Sequence, residues 1–215
     1  STSIMLDPTK DYSISYEVIS SRIIHDIDIT PNQNIVNGLE KEIITSIDYD
    51  FYNSERTYPY VNVSMSDPMV MRDIVISSIS VIPFKYNPSL NQLEIYESIK
   101  INVKEIGDKE DIRKRDLPKS RVFEKIYQNS IINYEQSSRD NVYQNPAILY
   151  IYPSSLDNNG VLQQLIDWRR QRGYVVYTAT LSETGSSTSS IKNYISNAYQ
   201  TFFPAPEYVA LIGDV

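Results

Sequence analysis

The only histidine of the chain, His25, stands beside two carboxylates, Asp26 and Asp28. Imidazole and carboxylate groups can bind a divalent metal together or share a proton in acid–base catalysis. On a strand with alternating side chains, however, His25 points away from both Asp26 and Asp28. We therefore expect a partly exposed strand histidine without a catalytic or metal-binding role.

Side-chain oxygens recur at alternate positions from Asp26 to Asn32, as they do in calcium-binding loops. The segment lacks the central glycine and the closing glutamate that such a loop uses. The match to a calcium loop is therefore weak, and we expect no metal site in these residues.

Counts of reactive side chains restrict the chemistry further. The 215 residues contain no cysteine and one histidine. This excludes a cysteine nucleophile, a thiolate zinc site and a disulfide framework here, and a Ser-His-Asp triad would depend on His25 alone. The net charge of -7 argues against broad electrostatic contact with nucleic acid or an anionic membrane. No apolar run is long enough for a membrane span, and the first residues do not form a signal peptide.

Two predicted strand ends carry polar side chains that deserve comparison with known ligand sites. The loop Leu181–Ser190 has one glycine and no lysine, so helix capping explains it better than phosphate binding. Asp214 follows the last predicted strand, where a carboxylate is well placed to contact a ligand or metal. A structural hydrogen bond to the next loop explains Asp214 equally well, and both alternatives stay open.

The elements that would position these residues fall into two halves, and the first half repeats every two residues. Short runs rich in Ile, Val, Thr and Tyr are bounded by Asn, Pro, Asp or Gly, as strands are by turns. Residues 86–92 between two runs predict a hairpin loop. The pattern predicts an all-β N-terminal domain, antiparallel and sandwich-like. The predicted strands are residues 12–18, 23–29, 40–50, 58–65, 70–82 and 93–103.

The middle of the chain differs from the first half in composition and in the spacing of its apolar residues. Charged residues crowd residues 105–115, and apolar positions spaced three and four apart predict a helix over 121–134. Residues 135–145 are mostly polar and rich in helix-breaking types, which predicts an exposed linker of the kind that proteases cut.

The last part predicts a β-α-β-α-β unit with a parallel sheet. Ala147–Tyr152 is a continuous apolar run, typical of a strand buried on both faces. A loop at 153–159 leads to an amphipathic helix that ends at Gly173. Further along, a strand at 174–181, a loop at 182–190, a second helix around 191–199 and a strand at 207–212 complete the unit.

Taken together, these residues resemble gingipain-type cysteine peptidases, which belong to clan CD and have a caspase-like fold. The strand at 148–153, the tryptophan-containing helix segment at 165–174, and the segments 191–195 and 206–214 resemble the start of the catalytic domain. Residues 67–73, 81–88 and 93–97 resemble the prodomain of the same enzymes.

The resemblance implies a β-rich prodomain with a C-terminal helix at 1–134, an activation linker at 135–145, and the first βαβαβ of the peptidase catalytic subdomain at 146–215. The prodomain would inhibit the catalytic domain and assist its folding. The catalytic His and Cys of the family follow later strands, so no catalytic residue is carried over and this fragment should be inactive. Arg139 is the best-placed candidate for the cleavage and S1-blocking residue, with Arg113, Lys114, Arg115 and Arg121 as rivals.

The same resemblance implies a secreted or cell-surface protein whose partners are its own catalytic domain and, for the full enzyme, protein substrates. We expect no nucleic acid partner, no membrane span and no cofactor in this chain, with calcium in the full protein left open. One alternative is a non-catalytic cell-surface or binding module with a β-sandwich fused to a degenerate α/β domain. A nucleotide-binding α/β enzyme is a third, disfavoured by the loops.

Overall fold

The computed structural model describes residues 1–29, 48–113, 115–135 and 142–213. Contacts divide the chain into two units. The first unit comprises Ser1–Met69 and Ile76–Glu110, and the second comprises Val70–Val75 and Asp111–Val215. Within the described ranges, no helix combines the length and apolar character that crossing a bilayer requires.

The first unit is built almost entirely from antiparallel strands. One sheet has the order β1-β5-β3 with β4 also paired to β5, and the other has the order β2-β7-β6. The elements of this part of the chain, in which Val70–Val75 belong to the second unit, are β1 (Thr2–Leu6), β2 (Lys10–Ile24), α1 (Tyr49–Tyr52), β3 (Val63–Met65), β4 (Met69–Met71), β5 (Ile74–Val81), β6 (Phe84–Asn87) and β7 (Gln92–Asp108).

Alternating side chains explain the long β2–β7 ladder. Apolar residues of β2 stand directly opposite apolar residues of β7, in the pairs Ile14–Val103, Tyr16–Ile101 and Val18–Ile99. Such cross-strand pairs stabilise an antiparallel sheet. The turn predicted at residues 86–92 is confirmed, because β6 ends at Asn87 and β7 begins at Gln92.

Four strand predictions need correction. The runs predicted at 12–18 and 23–29 belong to one strand, β2, which ends at Ile24, so residues 25–29 are not strand. Tyr49 and Asp50, predicted as strand, begin the helix α1, because the Asp48 side chain accepts a hydrogen bond from the Phe51 amide. Residues 40–47 of that predicted strand lie outside the described residues. The predicted strand at 58–65 is strand only over Val63–Met65. The run at 70–82 is two strands joined at residues 72–73.

β7 also extends past its predicted end at Val103, as far as Asp108. The charged residues at its end face opposite charges near the start of β2. Lys10 pairs with Asp108, and Lys109 Nζ lies 3.3 Å from Asp11 Oδ1. Opposite charges across the ladder allow a polar segment to continue as strand.

The second unit contains a parallel three-stranded sheet in the order β10-β8-β9, with helices packed on it. Every residue of β8 is buried, as its continuous apolar sequence predicts. The elements are α2 (Arg121–Ser130), β8 (Ala147–Tyr152), α3 (Gly160–Gln171), β9 (Val175–Thr180), α4 (Leu181–Thr184), α5 (Thr188–Thr201) and β10 (Tyr208–Leu211).

Each face of β8 packs against a different helix. Ile148, Tyr150 and Tyr152 form one cluster with Leu162 and Ile166 of α3. The alternate residues Leu149 and Ile151 form a second cluster with Ala179 of β9 and Ala198 of α5. The sheet is therefore the middle layer of this unit, and its two cores lie above and below β8.

Helix boundaries follow capping residues, and some differ from expectation. Asn159 caps α3, and Gly173 at φ 85° ends it, as predicted. α2 ends at Ser130 instead of Tyr134. The loops predicted at 153–159 and 181–190 contain a 3-10 turn at Ser154–Leu156 and the helix α4, respectively. Thr180 and Glu183 form a capping box that starts α4.

Candidate functional site

Only some of the functional candidates predicted from the sequence lie among the residues that the structure describes. Arg139, Asp214 and Lys114 lie outside the described residues, so their predicted roles stay predictions. His25 is exposed just beyond the end of β2, and its Nδ1 lies 3.2 Å from Gln92 Nε2. Within the part of the chain that the structure describes, no group of three His, Cys, Asp or Glu side chains could hold a metal ion.

The carboxyl edge of the parallel sheet holds hydroxyl and carboxylate groups that bond to one another. Ser154 Oγ lies 2.6 Å from Ser182 Oγ, just after β8 and β9. The Glu183 carboxylate accepts hydrogen bonds from the Thr180 amide at 2.6 Å and the Thr180 hydroxyl at 2.9 Å. These bonds, the backbone one foremost, lower the pKa of Glu183. The Thr180–Glu183 bonds form the capping box that begins α4.

The opposite, amino edge of the sheet carries a denser set of polar contacts. It involves two segments that precede the sheet in the chain, residues 70–75 and 111–127, together with the residues that lead into β8 and β10. All of them belong to the second unit. We call this set the amino-edge contact.

Arg115 contributes to the amino-edge contact at the end of α5. Its Nη1 donates to the Tyr199 carbonyl at 2.7 Å, and its Nη2 donates to the Phe202 carbonyl at 2.9 Å. The last carbonyls of a helix have no partner within the helix, and the helix dipole places partial negative charge there. Arg115 therefore satisfies the carboxyl end of α5 with both hydrogen bonds and charge.

The residues leading into β8 are held by the segment before α2. The Gln144 amide donates to the Lys119 carbonyl at 3.0 Å. The Gln144 side chain donates to the Ala205 carbonyl at 3.0 Å and to Glu207 Oε1 at 2.9 Å. Gln144 thereby joins the residues before α2 to the residues before β10.

Tyr143 makes the neighbouring contact. Its hydroxyl donates to Glu124 Oε2 at 2.7 Å, which raises the pKa of the Tyr143 phenol. The Arg121 guanidinium lies 5.2 Å from the centre of the Tyr143 ring, a cation–π distance. The chain is thus fixed immediately after the segment 136–141.

The hairpin tip at residues 70–75 completes the amino-edge contact. The Arg72 side chain is 2% exposed, and its Nη2 donates to the Pro118 carbonyl at 3.3 Å. The Tyr127 hydroxyl of α2 donates to Asp73 Oδ1 at 2.7 Å and lies 3.0 Å from the Met71 carbonyl. Burial, followed by this hydrogen bond, raises the pKa of Tyr127 well above its ordinary value.

The described rivals of Arg139 all have structural partners. Arg113 forms an ion pair with Asp111 at 2.8 Å and donates to the Asp73 carbonyl at 3.1 Å. Arg115 and Arg121 hold the contacts described above.

Sequence reasoning missed the main members of this contact: Arg72, Tyr127, Gln144 and Glu207. Residues 71–73 lie within the run 70–82 that was predicted as one strand, so the turn at Arg72 was missed as well. Nothing local in that sequence signals that the arginine is buried. The contact joins positions far apart in the chain, so no periodic pattern could have indicated it.

Comparison with known families divides the residues of the amino-edge contact between two family matches. Residues 1–142 match the family described as Propeptide_C25. Residues 141–215 match Peptidase family C25. Arg72, Arg115 and Tyr127 fall in the first match, while Tyr199, Ala205 and Glu207 fall in the second. We call these two portions the propeptide part and the peptidase part.

Individual relatives agree with these families. Gingipain R2 from Porphyromonas gingivalis (strain ATCC BAA-308 / W83) is 26% identical over 212 residues, which are 94% of this chain and 28% of the relative. Gingipain R1 from Porphyromonas gingivalis is 25% identical over 226 residues, which are 100% of this chain and 22% of the relative. The chain thus spans less than a third of the length of these curated relatives.

One solved structure is also similar, described as "Complex of Porphyromonas gingivalis RgpB pro- and mature domains". It has 25% sequence identity and a TM-score of 0.45, and the match covers 62% of this chain and 69% of that chain. A TM-score of this size does not establish a shared overall arrangement. The family matches carry the assignment: the chain belongs to the C25 family, with a gingipain-type propeptide followed by the first part of a C25 peptidase domain.

Proposed function

We propose that the chain is the front part of a gingipain-like cysteine endopeptidase zymogen, in which the propeptide part assists folding of the peptidase part and inhibits it. The observation that supports this most directly is the contact of Arg115 with α5. A propeptide residue supplies the donors for the carboxyl end of a peptidase helix. Without the propeptide part, those carbonyls would lose partners that a helix end needs.

Inhibition is tested on the complete protein, including whatever residues follow Val215. Hydrolysis of a fluorogenic peptide library is measured before and after processing of the zymogen. We expect the activity to rise on processing and to fall again when the separated propeptide is added back. Equal activity of intact and processed forms, with no effect of added propeptide, contradicts the inhibitory role.

We further propose that processing occurs at Arg139, within the polar linker predicted at 135–145. Amino-terminal sequencing of the matured enzyme tests this, and we expect a start at Asp140. The variant Arg139→Gln should slow processing, whereas Arg121→Gln should not, because Arg121 lies against Tyr143. A mature start well outside residues 135–146 removes Arg139 from this role.

Membership of the family also supports proposals about the fold, the substrates, the location and the partner of the complete enzyme. The antiparallel sheets of the first unit belong to a sandwich-like prodomain, and the parallel sheet belongs to a caspase-like catalytic domain. The complete enzyme acts on protein substrates outside the cell or at its surface, and the propeptide part binds its own catalytic domain. Calcium dependence of the complete enzyme is tested by measuring its thermal midpoint with and without a chelator.

The alternative, a non-catalytic binding module, is less favoured because both parts of the chain match the propeptide and peptidase of one family. It would gain support if the complete protein lacked a strand-terminal His and Cys. Reading the coding sequence beyond Val215 decides between these alternatives.

A further inference from the structure

We propose that Arg72 is a buried anchor through which the propeptide part recognises Glu207 of the peptidase part, at the sheet edge opposite to the strand carboxyl ends. The partner is thus an acidic side chain at the amino end of β10. The proposal rests on the proposed function, since it names the residues by which a propeptide holds its own peptidase.

The burial of both side chains makes the pairing a specific contact. The Arg72 and Glu207 side chains are each 2% exposed, and Arg72 Nη2 lies 3.9 Å from Glu207 Oε1. The guanidinium also lies 5.3 Å from the Phe123 ring centre. A buried arginine in contact with a carboxylate and an aromatic face is typical of the residues that dominate interfaces.

Unpaired atoms on both sides make the two charges depend on each other. Arg72 Nε and Nη1 and Glu207 Oε2 are buried and have no hydrogen-bond partner within the described part of the chain. Removing Arg72 leaves the buried Glu207 carboxylate without its ion-pair partner, and removing Glu207 leaves Arg72 facing Asp73 Oδ1, 3.9 Å from its Nε; each loss is destabilising. Removing both charges together should cost less than the two separate losses combined.

The hairpin tip holds Arg72 in position. Arg72 has a φ of 58°, a left-handed conformation that a non-glycine residue adopts only when its surroundings fix it. Tyr127, which is 1% exposed, donates to Asp73 Oδ1 and contacts the Met71 carbonyl on either side of Arg72. Tyr127 and Asp73 are therefore positioning residues, and they reduce the entropy that the anchor loses on binding.

The position of the anchor in the sheet determines what it can do. Glu207 immediately precedes β10, and its partner Gln144 precedes β8. Both lie at the amino edge of the parallel strands, whereas working residues of such sheets lie beyond the carboxyl ends. The anchor therefore holds the propeptide part in place without covering the carboxyl edge.

A double-mutant cycle in the 215-residue chain tests the pairing. The variants are Arg72→Met, Glu207→Gln and the combination, and the readout is amide hydrogen exchange in the β8–β10 ladder. The Glu207 amide, bonded to the Ala147 carbonyl, reports on the anchored end, and the Ile212 amide, bonded to the Ile151 carbonyl, reports on the other end. We expect each single variant to speed exchange at Glu207 by about a hundredfold or more, and at Ile212 by much less.

The combined variant should exchange more slowly than the product of the two single effects predicts. The matched control is Arg22→Met, which breaks an exposed arginine–glutamate pair with Glu97 in the first unit. It should leave the Glu207 amide unchanged. If the rate change in the combined variant equals the product of the two single rate changes, the proposal is overturned. Equal acceleration of exchange at Glu207 and Ile212 overturns it as well.

Should Arg72→Met fail to fold, Arg72→Lys serves in its place, because it keeps the charge but loses the planar guanidinium over Phe123. We expect Arg72→Lys to speed exchange at Glu207 by less than Glu207→Gln does. An unchanged rate in both variants overturns the proposal.

A second experiment in the complete zymogen separates this proposal from the proposed function. After linker cleavage, gel filtration measures how much propeptide co-elutes with the peptidase. We expect Arg72→Met to lower co-elution, while Arg22→Met does not. If wild-type propeptide inhibits but Arg72→Met co-elutes equally, the anchor is wrong; if wild-type propeptide does not inhibit, the proposed function fails instead.

Discussion

At the scale of single residues, arginines at 72 and 115 connect the propeptide part to the peptidase part in two different ways. Arg72 meets a buried carboxylate, whereas Arg115 meets only backbone carbonyls at the end of α5. The first contact depends on a particular partner side chain. The second depends only on a helix ending at that place.

Replacing Arg115 with Gln should therefore lower the free energy of unfolding by about 1–2 kcal/mol, through loss of charged hydrogen bonds at the helix end. Urea unfolding followed by far-UV circular dichroism measures this. Arg22→Gln, whose ion pair with Glu97 is exposed, serves as the control and should change stability only by a few tenths of a kcal/mol. Equal effects of the two substitutions would show that Arg115 does not stabilise α5.

Glu183 gives a prediction for acid pH. Its folded-state pKa lies below the ordinary value of 4.5, mainly because the Thr180 amide donates to the carboxylate. Its stabilising contribution is therefore present above the unfolded-state pKa and is lost as pH falls through the lower folded-state pKa. Glu183→Gln should flatten the decline in the urea midpoint between about pH 5 and pH 3.

The control for this acid-range measurement is Glu17→Gln, a substitution at an exposed strand position of the first unit. It should leave the shape of the pH profile intact. A profile for Glu183→Gln that parallels the wild-type profile throughout the acid range would contradict the assigned capping role.

At the scale of elements, helix ends explain where the sequence-based boundaries succeeded. α3 ends in a motif in which the Gly173 amide donates to the Arg170 carbonyl and the Tyr174 amide donates to the Arg169 carbonyl. This motif requires a left-handed residue at position 173, where glycine has φ 85°. The glycine signal in the sequence therefore marks a real geometric requirement.

Gly173→Ala should lower the free energy of unfolding by about 1–2 kcal/mol, because the left-handed conformation is strained for a residue with a side chain. Gly160→Ala is the matched control: Gly160 is the first residue of α3, and an added Cβ there meets no atom within 4 Å. That substitution should be neutral or slightly stabilising. Thermal or urea unfolding of both variants decides, and a neutral Gly173→Ala would contradict the strain argument.

Short elements were harder to predict. α1 and α4 have four residues each, so neither contains enough turns for an apolar period to develop. Both are specified by capping side chains, Asp48 for α1 and the Thr180–Glu183 pair for α4. Capping residues also favour turns, so their presence alone did not distinguish helix from loop.

At the scale of the whole molecule, the structural units and the family matches divide the chain differently. Val70–Val75 and Asp111–Glu135 match the propeptide but belong to the same unit as the parallel sheet. The peptidase part by itself is a three-stranded sheet with its helices, and it would lose the contacts of Arg72, Glu124 and Arg115 if the propeptide part were absent.

Deleting residues 1–135 from this chain should therefore leave residues 136–215 without a cooperative unfolding transition. The isolated sheet buries too little surface to offset its loss of chain entropy, and the partners at its amino edge are gone. Far-UV circular dichroism during urea titration measures this. Co-expression with residues 1–135 as a separate chain should restore the transition, and a cooperative transition in the isolated fragment would contradict the proposed folding role.

The sequence by itself determined the elements with long, clear patterns. The two-residue period indicated antiparallel strands in the first half, and the continuous apolar run at 147–152 indicated the buried central strand β8. It also determined that these 215 residues contain no cysteine, because that is a matter of composition. These properties are local, since backbone geometry imposes its period on neighbouring residues.

Only the tertiary structure decided that Arg72 is buried against Glu207 and that Arg115 ends α5. In the sequence, Arg72 is a single cation within a predicted strand and Arg115 lies in a charge-rich stretch, and cations are usually exposed. Their burial depends on a fold that brings distant segments to one edge of a sheet. Local periodicity carries no information about such long-range pairing, and so the amino-edge contact emerged only from the folded chain.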